Sequence, residues 1–212
     1  MKVDSYKNVA RFYDRLFEPL NRGLRAIGMK MFPPRQGMHV LDVGCGTGIH
    51  LKLYQKTGCV VFGIDLSPSM LRVARNRLGD GAHLYFGDAA HMPYKDKRFD
   101  LIIMSTVLHE MSTGMRFDVI EEVKRVCKRD GRILLIDFHP GPIQPIKGWI
   151  NKGIILMAET AAGREHFKNY RDFIAKGGLA GLISFHSLRM DQEKVVAGGN
   201  VALYLLSSSD EF

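Results

Sequence analysis

The 212-residue chain has three cysteines, one tryptophan and no long apolar run, and each shortage excludes something. Cys45, Cys59 and Cys127 form no close-spaced pair. Neither a disulfide framework nor a zinc knuckle is therefore expected, and a reducing, cytoplasmic setting is. No stretch approaches the ~20 apolar residues that span a bilayer, and Met1-Lys2-Val3-Asp4 opens without the apolar segment of a signal peptide. The eight histidines are scattered without ligand spacing, so no metal is expected. There is no Gly-x-Ser-x-Gly elbow and no Lys-Ser/Thr after the glycine-rich loop, which argues against a serine hydrolase and a Walker-type phosphate cradle.

What is present is an ordinary globular mix, 46% hydrophobic and 25% charged, of a length that suits one domain. The net charge is +8, and residues 1–38 hold eight Lys/Arg against three Asp/Glu. Such an arm could steer anionic substrates, lipid head groups or RNA, or be a solvated helix face. Basic patches interleaved with aromatics are missing, so nucleic acid is not an expected partner.

Apolar residues at Val9, Phe12, Leu16, Leu20, Leu24, Ile27 and Met31 keep helical spacing. Pro19 suits a first turn better than an interior, which predicts two helices meeting near Glu18-Pro19. A βα alternation follows. Strands are expected at Val40–Val43, Val60–Asp65, His83–Phe86, Phe99–Met104 and Arg132–Asp137. Helices are expected at Thr47–Lys56, from Ser67-Pro68 to Gly79, and at Arg116–Lys128. Residues 139–165, with three prolines at their start, read as an insertion carrying an amphipathic helix. A helix Arg164–Lys176 and late strands Leu182–Leu188 and Val201–Leu206 close the chain. The organisation is one domain: helical arm 1–37, core 38–138, insertion 139–165, and C-terminal helix and strands 166–212. Its fold class is α/β, a doubly wound, mostly parallel, Rossmann-like seven-stranded sheet.

In such a sheet the ligand lies beyond the carboxyl ends of the strands, beside the first. Here that strand runs into Gly44-Cys45-Gly46-Thr47-Gly48, a turn alone of weak meaning. Asp65 ends the second strand about 20 residues on, where a carboxylate can accept from both ribose hydroxyls. Asp88 follows the third strand, where it can accept from an adenine amine. A dinucleotide fingerprint would need a third glycine where Ile49 stands. These strand ends together describe a nucleoside slot.

The run Val40 to Gly48 resembles the first motif of class I S-adenosylmethionine-dependent methyltransferases. Asp65-Leu66-Ser67 resembles their ribose motif and Gly87-Asp88-Ala89-Ala90-His91-Met92-Pro93 their adenine motif. Phe99-Asp100 and Arg129-Asp130-Gly131-Arg132 fit the pattern too. Within the family the chain is most similar to the methyltransferase type 11 and menaquinone/ubiquinone methyltransferase-like group, and Tyr13-Asp14 is similar to a Tyr-Asp pair in the cofactor-covering arm of those enzymes.

The resemblance implies S-adenosylmethionine as cofactor and assigns roles. Gly44, Cys45 and Gly46 would line the methionine part, and Asp42 would help hold its ammonium. Asp65 would bind the ribose, Leu66 and Met70 would pack on the adenine, and Asp88 and Ala89 would bind its edge. Ser105 would lie beside the reacting methyl, and Tyr13 would cover the cofactor. Read from the residues alone, Asp42 could instead satisfy backbone donors, and Leu66 and Met70 could be core.

Methyl transfer needs a base only for an acidic acceptor. His109 and Glu110 after the fourth strand and His139 after the fifth are the catalytic candidates; each histidine could also merely cap backbone. No Asn/Asp-Pro-Pro-aromatic motif for nucleic-acid bases follows the fourth strand, where Ser105-Thr106-Val107-Leu108 stands. A small apolar acceptor, quinone- or lipid-like, is expected. The apolar insertion would serve as lid, sheet-edge core, dimer contact or, with the basic arm, peripheral contact with an anionic membrane. The alternative function is a non-catalytic S-adenosylmethionine-binding protein acting through partners.

Overall fold

The computed structural model describes residue 10, residues 13–186 and residues 188–208, apart from the side chains of 13–20 and 208. Seven strands form one sheet in the order β3-β2-β1-β4-β5-β7-β6. They are β1 His39–Val43, β2 Val60–Asp65, β3 Ala82–Phe86, β4 Phe99–Ser105, β5 Cys127–Phe138, β6 Leu188–Val196 and β7 Val201–Ser208. β1 to β5 are mutually parallel, and β7 runs antiparallel to both its neighbours. The chain leaves β1 toward β2 on one side and returns to β4 on the other, so the switch point of the sheet lies at the end of β1. The expected α/β fold class is what the structure has.

The central strands are apolar on both faces because helices cover both. On one face Val40, Val61, Leu101, Ile103 and Leu134 pack against α1 (Tyr13–Met31), α2 (Ile49–Gln55) and α3 (Pro68–Leu78). On the other, Leu41, Val43, Ile102, Met104 and Ile133 meet α4 (Thr113–Val126), α6 (Arg164–Ala175) and α7 (Gly178–Ser184). Ser67 caps α3 by accepting the Met70 amide at 3.1 Å, with Pro68 in the first turn.

Three expectations need correction. The arm is one helix through Pro19, Tyr13–Met31. A proline early in a helix forfeits one hydrogen bond, and the turns beyond it dock on the sheet. Gly28 lies so close that a Cβ there would fall 2.7 Å from Leu134. Residues 182–186 are not a strand: Gly178–Ser184 is α7, with Leu179 and Ile183 buried on one side, and the strand begins only at Leu188. β6 is a polar edge strand without the apolar signal of a buried one. Finally, β5 begins at Cys127 rather than at Arg132, but its pairing with β4 jumps from Phe99–Cys127 to Leu101–Arg132, so residues 128–131 bulge out of the ladder.

The insertion forms α5, Lys147–Ala161, which contributes to neither core among the described residues. It rests on residues 197–200, where the Asn200 side chain donates to the Gly148 carbonyl at 2.8 Å and a Cβ on Gly148 would meet the Gly198 carbonyl oxygen. Core over the sheet edge is thereby excluded for α5.

Candidate active site

Sheet register brings the expected residues to one edge. The Gly44 and Cys45 amides donate to Ile64 O at 2.9 and 3.2 Å, which sets the glycine loop beside Asp65. Gly87 donates to Asp65 O at 3.2 Å, placing Asp88 on the next strand end, while Val43 pairs with Met104 and so puts Ser105 on the other side of the loop. Gly44, Gly46 and Gly48 all have positive φ. A Cβ on Gly44 would meet Val107 at 2.6 Å, whereas one on Gly46 would point into open space at the sheet edge. The backbone at Gly46 is thus bare toward the groove, a cradle that suits a ligand lying flat on the loop.

Asp65 already works in this loop. Its carboxylate accepts from the Gly46 and Ser67 amides, each at 2.8 Å, and so ties the glycine turn to the start of α3. Asp88 turns back to accept from Ala90 N at 2.9 Å. Leu66 is half exposed at the rim and Met70 is buried behind it. Asp42 is buried; desolvation and the charge of Asp65 raise its carboxyl to about 8 against the pull of Arg25. A cationic ligand group is what this carboxyl lacks. Cys45 is buried, and desolvation holds its thiol well above the ordinary range, so it is no nucleophile. The side chain of Tyr13 lies outside the described residues. These features fit an adenosyl amino acid carrying an ammonium group.

A second cluster sits beside this edge, over β4 and β5. Thr106 takes a left-handed conformation, φ 52°, and its amide bonds Ile136 O at 2.7 Å. This redirects the chain into a single 3₁₀ turn, Leu108–Glu110, that carries His109 over the end of β5. There Asp137, fully buried, lies 2.7 Å from His109 Nδ1 and accepts the Leu108 amide at 2.9 Å. Burial alone would lower the His109 pKa, but the Asp137 carboxylate, followed by Glu110 and Glu159, outweighs it and raises the ring to about 9. The ring is therefore a cation at neutral pH, a hydrogen-bond donor rather than the ready base expected from sequence. Its Nε2 is 3.6 Å from Glu159 Oε1, and Glu159 Oε2 is 2.8 Å from His166 Nε2.

His139 lies apart in role. Its Nδ1 accepts from Gly141 N at 3.1 Å and lies 3.2 Å from Gly199 O, so it ties the loop after β5 to the turn before β7. The Glu110 carbonyl accepts from Asn169 at 2.7 Å, and its carboxylate acts on His109 through space.

Sequence reasoning missed Asp137, Glu159, His166 and Arg116. Asp137 had a signal: like Asp42 and Asp65 it is an acid inside or closing a buried apolar run. Glu159 is the one acid in α5, and only the fold reveals what it faces. The absence of ligand spacing, read above as no metal, did not anticipate that His109, Glu159 and His166 present donor atoms within 4.8 Å of one another.

A family model described as a methyltransferase domain matches residues 41–135. Over 144 residues the chain is 36% identical to the demethylmenaquinone methyltransferase of Tropheryma whipplei (strain Twist), covering 64% of this chain and 58% of that protein. Over 165 residues it is 30% identical to the ubiquinone/menaquinone biosynthesis C-methyltransferase UbiE of Bordetella avium, covering 72% and 64% respectively. The chain spans less than two thirds of the length of these relatives. The fold is similar to the crystal structure of a SAM dependent methyltransferase from Aquifex aeolicus, with TM-score 0.66 and 22% identity over 93% of this chain and 98% of that one.

Proposed function

Because this chain belongs to the class I S-adenosylmethionine-dependent methyltransferases, related to the ubiquinone and menaquinone C-methyltransferase group, we propose that it methylates a small apolar, quinone-like acceptor. The observation that carries the reading is the meeting of the glycine loop, Asp65, Asp88 and Ser105 at one sheet edge. The relatives' names support the acceptor class.

S-adenosylmethionine supplies a methyl carbon made electrophilic by its sulfonium. The chain's own task is alignment and exclusion of water, worth roughly 7–11 kcal/mol when the reacting atoms are well oriented. Asp65, held beside the glycine loop by the Gly46 and Ser67 amides, takes the ribose hydroxyls. Asp88 and the Ala89 amide take the adenine edge, and Leu66, backed by Met70, covers its face. Asp42 receives the ammonium, with Gly44, Cys45 and Gly46 supplying backbone, Ser105 beside the methyl, and Tyr13 in the covering arm. The His109 cation, held by Asp137 and balanced by Glu110, donates to an acceptor oxygen and stabilises negative charge there; His139 braces the loop behind it.

α5 adds a second element. Ile146, Trp149, Ile150, Ile154 and Met157 are all exposed, and Lys152 lies over the Trp149 ring at 5.5 Å. Apolar side chains with lysines beside them suit a helix resting on an anionic bilayer, where quinones partition. Trp149→Ala should then weaken partitioning onto anionic vesicles; equal partitioning of wild type onto neutral and anionic vesicles removes this element.

Calorimetric titration with S-adenosylhomocysteine tests the slot, and transfer of radiolabelled methyl to a panel of quinones, phenols and amines tests the reaction. Asp65→Ala should lose at least tenfold in affinity, and His109→Ala should lower turnover far more than affinity. Absence of binding by wild type at millimolar ligand overturns the proposal. Binding without product on any acceptor favours the non-catalytic alternative.

A further inference from the structure

Two histidines and a carboxylate from three separate elements converge where α5 and α6 cover the ends of β4 and β5. His109 comes from the 3₁₀ turn, Glu159 from the last turn of α5 and His166 from the first turn of α6. His109 and Glu159 are buried, while His166 keeps 19% of its side chain exposed. A carboxylate removed from water needs compensation, and Glu159 finds it in two imidazole nitrogens, His166 Nε2 at 2.8 Å from Oε2 and His109 Nε2 at 3.6 Å from Oε1. Two rings and one carboxylate thus present donor atoms that all lie within 4.8 Å of one another. Bonds of roughly 2.0–2.2 Å at tetrahedral angles place ligand atoms about 3.3–3.6 Å apart; the 3.6 Å spacing of His109 Nε2 from Glu159 Oε1 matches, and the 2.8 Å spacing of Glu159 Oε2 from His166 Nε2 is shorter and must open on binding.

The surroundings of His109 fit the same arrangement. Asp137 engages Nδ1 at 2.7 Å and is itself fixed by the Leu108 and Phe138 amides at 2.9 and 2.8 Å. A carboxylate on one imidazole nitrogen sets the tautomer and aims the other nitrogen's lone pair at a metal. The half-open side at His166 gives an entry path.

We propose that His109, Glu159 and His166 form a binding site for one divalent transition-metal cation of the zinc type, with Asp137 orienting His109. The cation replaces the proton on His109 Nε2, pins α5 and α6 to the core, and leaves a coordination position for water or an acceptor oxygen. Nitrogen–nitrogen–carboxylate donors suit zinc or cobalt rather than magnesium or calcium. The site shares His109 with the methyl-transfer reading: with the metal bound, His109 Nε2 is a ligand, and the donor role toward an acceptor oxygen passes from the ring to the metal.

The test is titration of untagged, metal-stripped full-length protein with Zn2+ against a chromogenic chelator, and with Co2+ followed by its visible absorption. One equivalent should bind with micromolar or tighter affinity. His166→Ala and Glu159→Gln should each weaken binding at least tenfold, and Asp137→Asn by 10- to 100-fold. Circular dichroism checks each variant's fold; His166, on the exposed side, decides if a buried substitution unfolds the chain. No stoichiometric uptake by wild type, or uptake unchanged in His166→Ala, overturns the proposal. S-adenosylhomocysteine titrations on the same samples separate the two readings, because cofactor binding persists if only the metal site is absent.

Discussion

Asp42 shows how far the fold can move a single group. With its carboxyl raised to about 8 by burial and by Asp65, the ligand-free chain holds a proton there at neutral pH. An ammonium alongside favours the ionised form, so binding releases that proton. Affinity for S-adenosylhomocysteine should therefore climb with pH, by up to tenfold per unit, and level off above about 8. Asp42→Asn should flatten the profile, as calorimetry across that range would record. The sign for stability is opposite: a carboxyl with a raised folded-state pKa stabilises the free fold at acid pH and loses that contribution as pH rises to about 8. The identity of Asp42, Asp65 and Asp88 as site residues was legible in the sequence because each adjoins a strand end whose apolar run is visible. The protonation of Asp42 was not legible, since it depends on complete burial and on the charge of Asp65, which together outweigh the opposing pull of Arg25 from a distant helix.

At the scale of elements, one arginine holds the acceptor side together. Arg116 of α4 is buried; it donates to Leu108 O at 2.9 Å, Asp172 Oδ2 at 2.9 Å and Asn169 O at 2.7 Å, with Phe173 under its guanidinium. It thereby binds α4, α6 and the turn carrying His109 into one unit. Arg116→Met removes donors from three acceptors at once and should cost about 2–4 kcal/mol in chemical denaturation, with turnover falling more than cofactor affinity. Hydrogen bonds from Lys176, Thr113 and Arg116 hold the Asp172 carboxyl down to about 2. A depressed acid stabilises the fold above its ordinary pKa and loses this as pH falls through about 2. The partly exposed Asp172→Asn variant should be less stable at pH 5 by up to about 1 kcal/mol, the difference vanishing near pH 2. Elements with an apolar period were recognised, though the arm continues as one helix through Pro19; α7 and β6 were not, because an exposed polar edge strand has no such period and a short apolar segment fits helix and strand alike.

For the molecule as a whole, the binding edge is shared by β1 to β5, so a ligand there ties separate elements of one sheet together. Anything that binds only the folded state stabilises it by mass action, about 2.7 kcal/mol at 100 times Kd. For a domain of this size that corresponds to a rise in Tm of roughly 5–10 °C on saturation with S-adenosylhomocysteine, readable by scanning calorimetry. An unchanged Tm at saturating ligand contradicts the shared slot. The exposed apolar face of α5 belongs to this scale too: it stands outside both cores, and its role concerns what the molecule touches rather than what holds it up.

The amino-acid order by itself determined the alternation of strands and helices, the glycine turn after β1 and the acids at successive strand ends. All of these are local: period, turn chemistry and strand-end position are written within a few residues. Only the tertiary structure decided what Glu159, His166, Asp137 and Arg116 do. Several of their partners lie 28 to 56 residues away, and only the packed fold brings them together. Chain spacing has no bearing on distance once α5 and α6 fold back over the sheet, and so a cluster scattered in sequence becomes a single polar centre beside the cofactor edge.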